Sequence, residues 1–122
     1  MIQICCGLEH MHALGMAHRD IKVENILVSY PDSGNLKIKS EPVFKLGDFG
    51  STTKAHSIDF DRSDKRDIGK FMEKIEEQCT RMYRAPEMID RWQGFNVDGA
   101  ATDMWMLGCV LYVLCTGNKH PF

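Results

Sequence analysis

No charge of either sign dominates this chain: 15 lysines and arginines face 17 aspartates and glutamates, a net charge of −2 over 122 residues. That balance leaves no electrostatic footprint for nucleic acid or an anionic membrane, so a nucleic-acid partner is not expected. Disulfide chemistry also lacks material. Five cysteines are an odd number, far below the density of a disulfide scaffold, and the first residues lack the basic and apolar regions of a signal peptide. A reducing, intracellular, cytoplasmic setting is expected. The longest apolar run, residues 104–115, is shorter than a bilayer-spanning helix, and His120-Pro121-Phe122 is no prenylation box, so no membrane span or anchor is expected. Repeats, low-complexity tracts and interdomain linkers are missing too. The composition is otherwise ordinary and globular, 43% hydrophobic and 26% charged. A chain this long buries about two-thirds of its unfolded surface, enough for one modest core and too little for two domains.

Ile4, Leu8, Met11 and His12 recur at three- and four-residue spacings and predict a helix with one buried face, ending at Gly15. Ile26-Leu27-Val28 and Phe44-Lys45-Leu46 have strand character, and the turn-forming Pro31-Asp32-Ser33-Gly34-Asn35 between them predicts a small hairpin. Residues 51–80 are polar and read as a mobile loop. Within it, Ile68, Phe71, Met72 and Ile75 predict one amphipathic helix over 63–79, whose near-balanced charges suit a solvated face better than a partner site. Pro86 opens a short helical signal running to about Trp92, and Gly94 and Gly99 interrupt the segment after it. Thr102 then caps a helix whose interior, 104–115, is apolar almost all round and therefore needs neighbours on every side.

Between the first helix and the first strand stands His18-Arg19-Asp20-Ile21-Lys22-Val23-Glu24-Asn25, and Asp48-Phe49-Gly50 comes directly after the second strand. Three fixed residues arise by chance in about 1–2% of chains this long, five in fewer than about one in ten thousand. The first motif is therefore specific and the second is not. Ala85-Pro86-Glu87 and Asp103-x-Trp105-x-x-Gly108 come next in order. Together the four resemble the catalytic loop, metal-binding loop, activation segment and central helix of the protein kinases, over essentially the whole chain. The resemblance implies an α+β, protein-kinase-like fold: a mainly helical large lobe with a small catalytic-loop hairpin, truncated at both ends.

It also implies a chemistry. Phosphoryl transfer spreads negative charge over the transferred group and needs cations, positioning and a proton acceptor. By the resemblance, Asp20 takes the hydrogen bond of the substrate hydroxyl, Lys22 contacts the γ-phosphate of ATP, and Asn25 and Asp48 are oxygen ligands for Mg. Alone, each would be an ordinary loop residue. Thr80 matches the threonine that bonds the aspartate and lysine in serine/threonine kinases, so protein Ser/Thr hydroxyls are the implied acceptors. His18 is expected to be structural. Arg19 resembles the residue that pairs with an activation-loop phosphate in many kinases, with Thr52, Thr53, Ser57 and Ser63 as candidate positions. More narrowly, the chain resembles the Numb-associated and cyclin-G-associated kinases, which implies vesicle-traffic adaptor proteins as partners. The segment 29–43 is longer than in most of the family.

The glycine-rich loop and strand lysine that hold the nucleotide phosphates in this family do not occur in the sequence, nor do the later large-lobe helices. Residues 1–122 are thus expected to form a partial kinase domain that transfers no phosphate alone and associates through its apolar helix. Glu87 is expected to lack its arginine partner, a loss of about 3–5 kcal/mol for a buried pair. A truncated, non-catalytic kinase-like scaffold is the alternative, against which the intact Asp20, Lys22, Asn25 and Asp48 stand. A zinc site from Cys5, Cys6, His10 and His12 is a distant third, because His10 and His12 point to different sides of one helix; these residues are expected to be buried and structural.

Overall fold

The computed structural model describes residues 1–31, 41–54, 63–89, 96–117 and 119–122. Helix α1 (Ile2–Ala13) buries Ile4, Leu8 and Met11 along one stripe, as their spacing requires. Its chain reversal falls at Gly15, whose φ of 69° lies in the left-handed region that glycine enters without strain. His12 leaves that stripe and is half-buried. Cys5, Cys6 and His10 are exposed, which corrects the expectation that they are buried structural residues.

After α1 come β1 (Met16–Ala17), β2 (Ile26–Ser29), β3 (Val43–Leu46) and β4 (Thr53–Lys54), in two antiparallel pairs. β2 runs against β3 with Ile26 opposite Leu46 and Ser29 opposite Val43, the hairpin expected from the two apolar runs. Its turn residues 32–35 lie outside the described residues. β1 and β4 pair Met16 with Lys54 and Ala17 with Thr53, too short a ladder to leave a signal in sequence. This ladder ties the chain just before His18 to the segment after Asp48.

Helix α2 (Lys65–Gln78) starts at Asp64, whose side chain accepts the Arg66 amide hydrogen. Met72 and Ile75 are buried and Phe71 and Ile68 pack against the core, while its charges face outward. The helical signal at Pro86 is a single 3-10 turn, Pro86–Met88; its expected end at Trp92, and Gly94, lie outside the described residues. Glu87 there is half-buried, so the penalty expected for a buried unpaired charge does not apply in full.

Helix α3 (Gly99–Thr116) corrects two expectations about its start. Gly99 is its first residue rather than an interruption, and Asp98, not Thr102, is the cap, accepting the amides of Ala100 at 2.8 Å and Ala101 at 3.0 Å. Thr102 instead donates to the Gly99 carbonyl at 2.8 Å. The helix ends at Gly117, φ 71°, again left-handed. With 18 residues and a mean hydropathy of 1.4, α3 is long and apolar enough to cross a membrane by length and composition, which the shorter run 104–115 understated. One face of it is enclosed, with Thr102, Asp103, Met106 and Val110 among the most completely buried residues, but less than half of the helix is buried, and Met104, Leu111, Tyr112 and Leu114 are exposed.

One cluster unites these elements: Ile4 and Leu8 from α1, Ile21 from the loop between β1 and β2, Met72 and Ile75 from α2, Cys79, Tyr83, Ala85 and Met88 beyond it, and Met106, Leu107 and Val110 from α3. Each large aliphatic side chain enclosed in this way contributes about 1.5–3 kcal/mol. Ile21 lies inside the cluster next to the polar residues of the motif, so the core itself holds the site.

Candidate active site

The loop of residues 18–25, the candidate catalytic loop, hangs between β1 and β2 on a buried carboxylate. Asp103 of α3, fully enclosed, accepts the His18 amide at 2.8 Å through Oδ2 and the Arg19 amide at 2.7 Å through Oδ1. His12 Nε2 lies 2.9 Å from Oδ2 and completes the shell. Buried charge demands such partners, and this arrangement spends them on the loop backbone. Arg19 is held at φ 69°, the strained left-handed region for a non-glycine residue. His18 is enclosed: its ring Nδ1 accepts the Asp20 amide at 3.4 Å and Nε2 donates to the Gly47 carbonyl at 3.0 Å, a tautomer set by these partners. Its ring also lies 5.3 Å from that of Phe49, and the role is structural, as expected.

Asp20, 6% exposed, is the centre of the next layer. Its Oδ2 accepts Lys22 Nζ at 2.7 Å and Asn25 Nδ2 at 3.2 Å; its Oδ1 accepts Thr80 Oγ1 at 2.8 Å and the Thr80 amide at 3.0 Å. Lys22 Nζ also donates to Thr80 Oγ1 at 3.0 Å. Burial pushes the Asp20 carboxyl up, but the hydrogen bonds from Lys22 and Thr80 outweigh it and hold the group below its ordinary value of 3.8. The bond to Asp20 raises Lys22 above its ordinary 10.5 despite partial desolvation, with Glu24 and Asp48 adding to its field. An ionised carboxylate beside a fixed ammonium is therefore the resting state.

Asn25 Nδ2 also donates to the Asp20 carbonyl at 2.8 Å, so the amide oxygen Oδ1 carries the lone pairs free to meet a cation. The Gly47 amide donates to the Asn25 carbonyl at 2.8 Å, extending the β2–β3 ladder by one pair, and Asp48 comes next. The hairpin thus sets an amide oxygen and a carboxylate at one end, an all-oxygen donor set suited to a hard divalent ion. Asp48 is exposed, with φ 56°, and its Oδ1 accepts the Gly50 amide at 3.2 Å. The site residues expected from the sequence divide accordingly: Asp20, Lys22 and Thr80 are bonded to one another, the Asn25 side chain bonds among them to Asp20 alone, and Asp48 joins through the hairpin.

Thr80 reaches Asp20 because the chain after α2 is pinned. Arg84 donates to the Cys79 carbonyl from Nε at 3.0 Å and from Nη2 at 2.8 Å, and from Nη2 to the Glu76 carbonyl at 3.0 Å. Ser51 Oγ donates to the Gln78 carbonyl at 2.9 Å. The enclosed Cys79 thiol is pushed up to about 11 by burial, and stays protonated. Sequence reasoning missed His12 as a partner of Asp103. The signal was the short distance from His12 to the catalytic loop, but its partner lies 91 residues away.

The protein kinase domain family matches residues 1–122, and the chain belongs to that family. Among curated relatives it is similar to the serine/threonine-protein kinase Nek5 of Mus musculus, 38% identical over 99% of this chain and 15% of the relative. It is also similar to serine/threonine-protein kinase 16 of Rattus norvegicus, 40% identical over 97% of this chain and 34% of the relative, and to actin-regulating kinase 1 of Saccharomyces cerevisiae, 36% identical over 94% and 16%. The chain spans between about a sixth and a third of the length of these relatives. Kinases named for serine/threonine specificity agree with the expected class, and the fold is that of a kinase-like α+β fragment. The narrower Numb-associated family is left undecided by these names.

Proposed function

We propose that the protein is an ATP-dependent serine/threonine protein kinase, and that residues 1–122 form the part of its catalytic domain carrying the catalytic loop, the metal-binding loop, the activation segment and the central helix. The observation that carries the reading is the closed set of bonds among Asp20, Lys22 and Thr80. In this reading Asp20 accepts the hydrogen bond of a Ser or Thr hydroxyl, orients its oxygen and takes its proton. Lys22 neutralises charge on the transferred γ-phosphoryl group. Thr80 fixes the carboxylate from the side of the activation segment. Asn25 Oδ1 and the Asp48 carboxylate would hold Mg, which would neutralise the phosphate oxygens when bound.

The test is phosphotransfer by the full-length protein from radiolabelled ATP to a generic Ser/Thr protein acceptor. Asp20→Asn is expected to lower turnover by about 10²- to 10⁴-fold with ATP affinity nearly intact, because the residue acts on the hydroxyl and not on the nucleotide. Near-normal turnover in that variant removes Asp20 from the role. Absence of transfer by the wild type, with the fold intact, supports the scaffold reading instead. All five cysteines are free, which agrees with a cytoplasmic setting. The resemblance to Numb-associated kinases extends the proposal to vesicle-traffic adaptors as substrates, testable by comparing their phosphorylation with that of a generic acceptor.

A further inference from the structure

Arg19 is 5% exposed, and its guanidinium nitrogen Nη2 is buried without a hydrogen-bond partner among the described residues. A buried guanidinium in that state needs another source of stabilisation. The ring of Phe71 supplies one: its centroid lies 5.2 Å from the guanidinium carbon, within cation–π range. Phe71 is fixed there because the next residue, Met72, and Ile75 on the same helix are enclosed in the core. On the other side of Arg19, its amide is bonded to Asp103 and the next residue along the chain is Asp20. A line of direct contacts thus runs from α2 through Phe71 and Arg19 to the carboxylate at the centre of the site. The remaining surroundings are a cavity of about 260 Å³, lined also by Lys54, Lys70, Lys74 and Asp67. Among the described residues no carboxylate forms an ion pair with the guanidinium, which leaves the Phe71 ring as its direct side-chain partner there.

We infer that Phe71 is a positioning residue: by covering the Arg19 guanidinium it holds the catalytic loop and Asp20 in place, so the loop is ordered without a phosphorylated residue at Arg19. The inference rests on the kinase reading above for its effect on turnover, and on the contact geometry alone for its effect on loop order. An exposed-to-desolvated cation–π contact corresponds to a factor of about 3 to 30 in an equilibrium.

Two readouts on the full-length protein test it. The first is turnover with ATP and a Ser/Thr protein acceptor after phosphatase treatment; the second is hydrogen–deuterium exchange of peptides covering residues 17–25. Phe71→Leu keeps apolar bulk and removes the π face, whereas Phe71→Tyr keeps the face. Phosphatase-treated wild type is expected to retain full turnover. Phe71→Leu is expected to lose about 3- to 30-fold in kcat with KM for ATP unchanged, and to raise loop exchange by the same factor. Phe71→Tyr is expected to match wild type in both, and melting curves verify that all three proteins are folded. Equal kcat and equal loop exchange in Phe71→Leu overturn the inference. So does loss of wild-type turnover on phosphatase treatment together with a phosphorylated residue found by mass spectrometry, which makes Arg19 a phosphate receptor. If the wild type transfers no phosphate at all, the kinase reading fails, and the exchange data still decide whether Phe71 orders the loop.

Discussion

Replacing Thr80 by Val removes one oxygen from the site and almost nothing else. The side-chain volume is kept, and the backbone amide retains its 3.0 Å bond to Asp20 Oδ1. Lost are the 2.8 Å bond from Oγ1 to that oxygen and the 3.0 Å bond that Oγ1 accepts from Lys22 Nζ. Hydrogen bonds to charged groups contribute about 1.5–3 kcal/mol each, and the half-buried setting argues for the lower end. Turnover of the full-length protein is therefore expected to fall about 10- to 100-fold, since each 1.4 kcal/mol is a factor of ten. A second effect has a defined sign. Burial raises the Asp20 carboxyl, and the bonds from Lys22 and Thr80 reverse that and depress it. Its stabilising contribution is complete above the ordinary 3.8 and is lost as pH falls through the lowered folded value. Removing the hydroxyl takes away one depressing influence, so the acid limb of the kcat/KM profile moves to higher pH. The assay is that profile for wild type, Thr80→Val and Thr80→Ser, with Ser expected to restore both rate and limb. Unchanged turnover and an unmoved acid limb in Thr80→Val would refute the claim that Thr80 holds the carboxylate.

Asp103→Asn keeps the shape of the loop anchor but removes its charge and turns one acceptor into a donor facing the enclosed His18 and Arg19 amides. A loss of about 3–5 kcal/mol in denaturant unfolding is expected. Asp98→Ala removes the cap of α3 and is expected to destabilise by about 0.5–2 kcal/mol, read as a lower melting temperature. The Cys79 thiol, at about 11 against an ordinary 9.0, favours the folded state below about 9. That contribution is lost as pH rises through about 9 to about 11 and amounts to roughly 3 kcal/mol; Cys79→Ala flattens this part of the stability profile. In the folded protein Cys79 is also expected to alkylate far more slowly than the exposed Cys5, Cys6 and Cys115.

Local patterning alone determined the helical stripe of Ile4, Leu8 and Met11, the two strands of the hairpin and the amphipathic helix carrying Phe71 and Met72, because each periodicity lies within a few residues. The octapeptide from His18 to Asn25 determined the family for the same reason: its information is contiguous. The cap of α3 was also written locally, in Asp98, but the adjacent Gly99 reads equally well as a breaker, and only the observed amide bonds separate the two. Contacts across long sequence separations were decided by the tertiary structure. Asp20 and Thr80 stand 60 residues apart, and Asp103 lies 84 residues from the Arg19 amide that it holds. Phe71 was legible as a core residue of an amphipathic helix, yet its place over Arg19 depends on how α2 packs into the cluster with Cys79 and Met106. The physical reason is common to all of these. Hydrogen bonding and helix periodicity are short-range along the chain, whereas the burial that makes a carboxylate or a guanidinium seek a particular partner exists only once the core has closed.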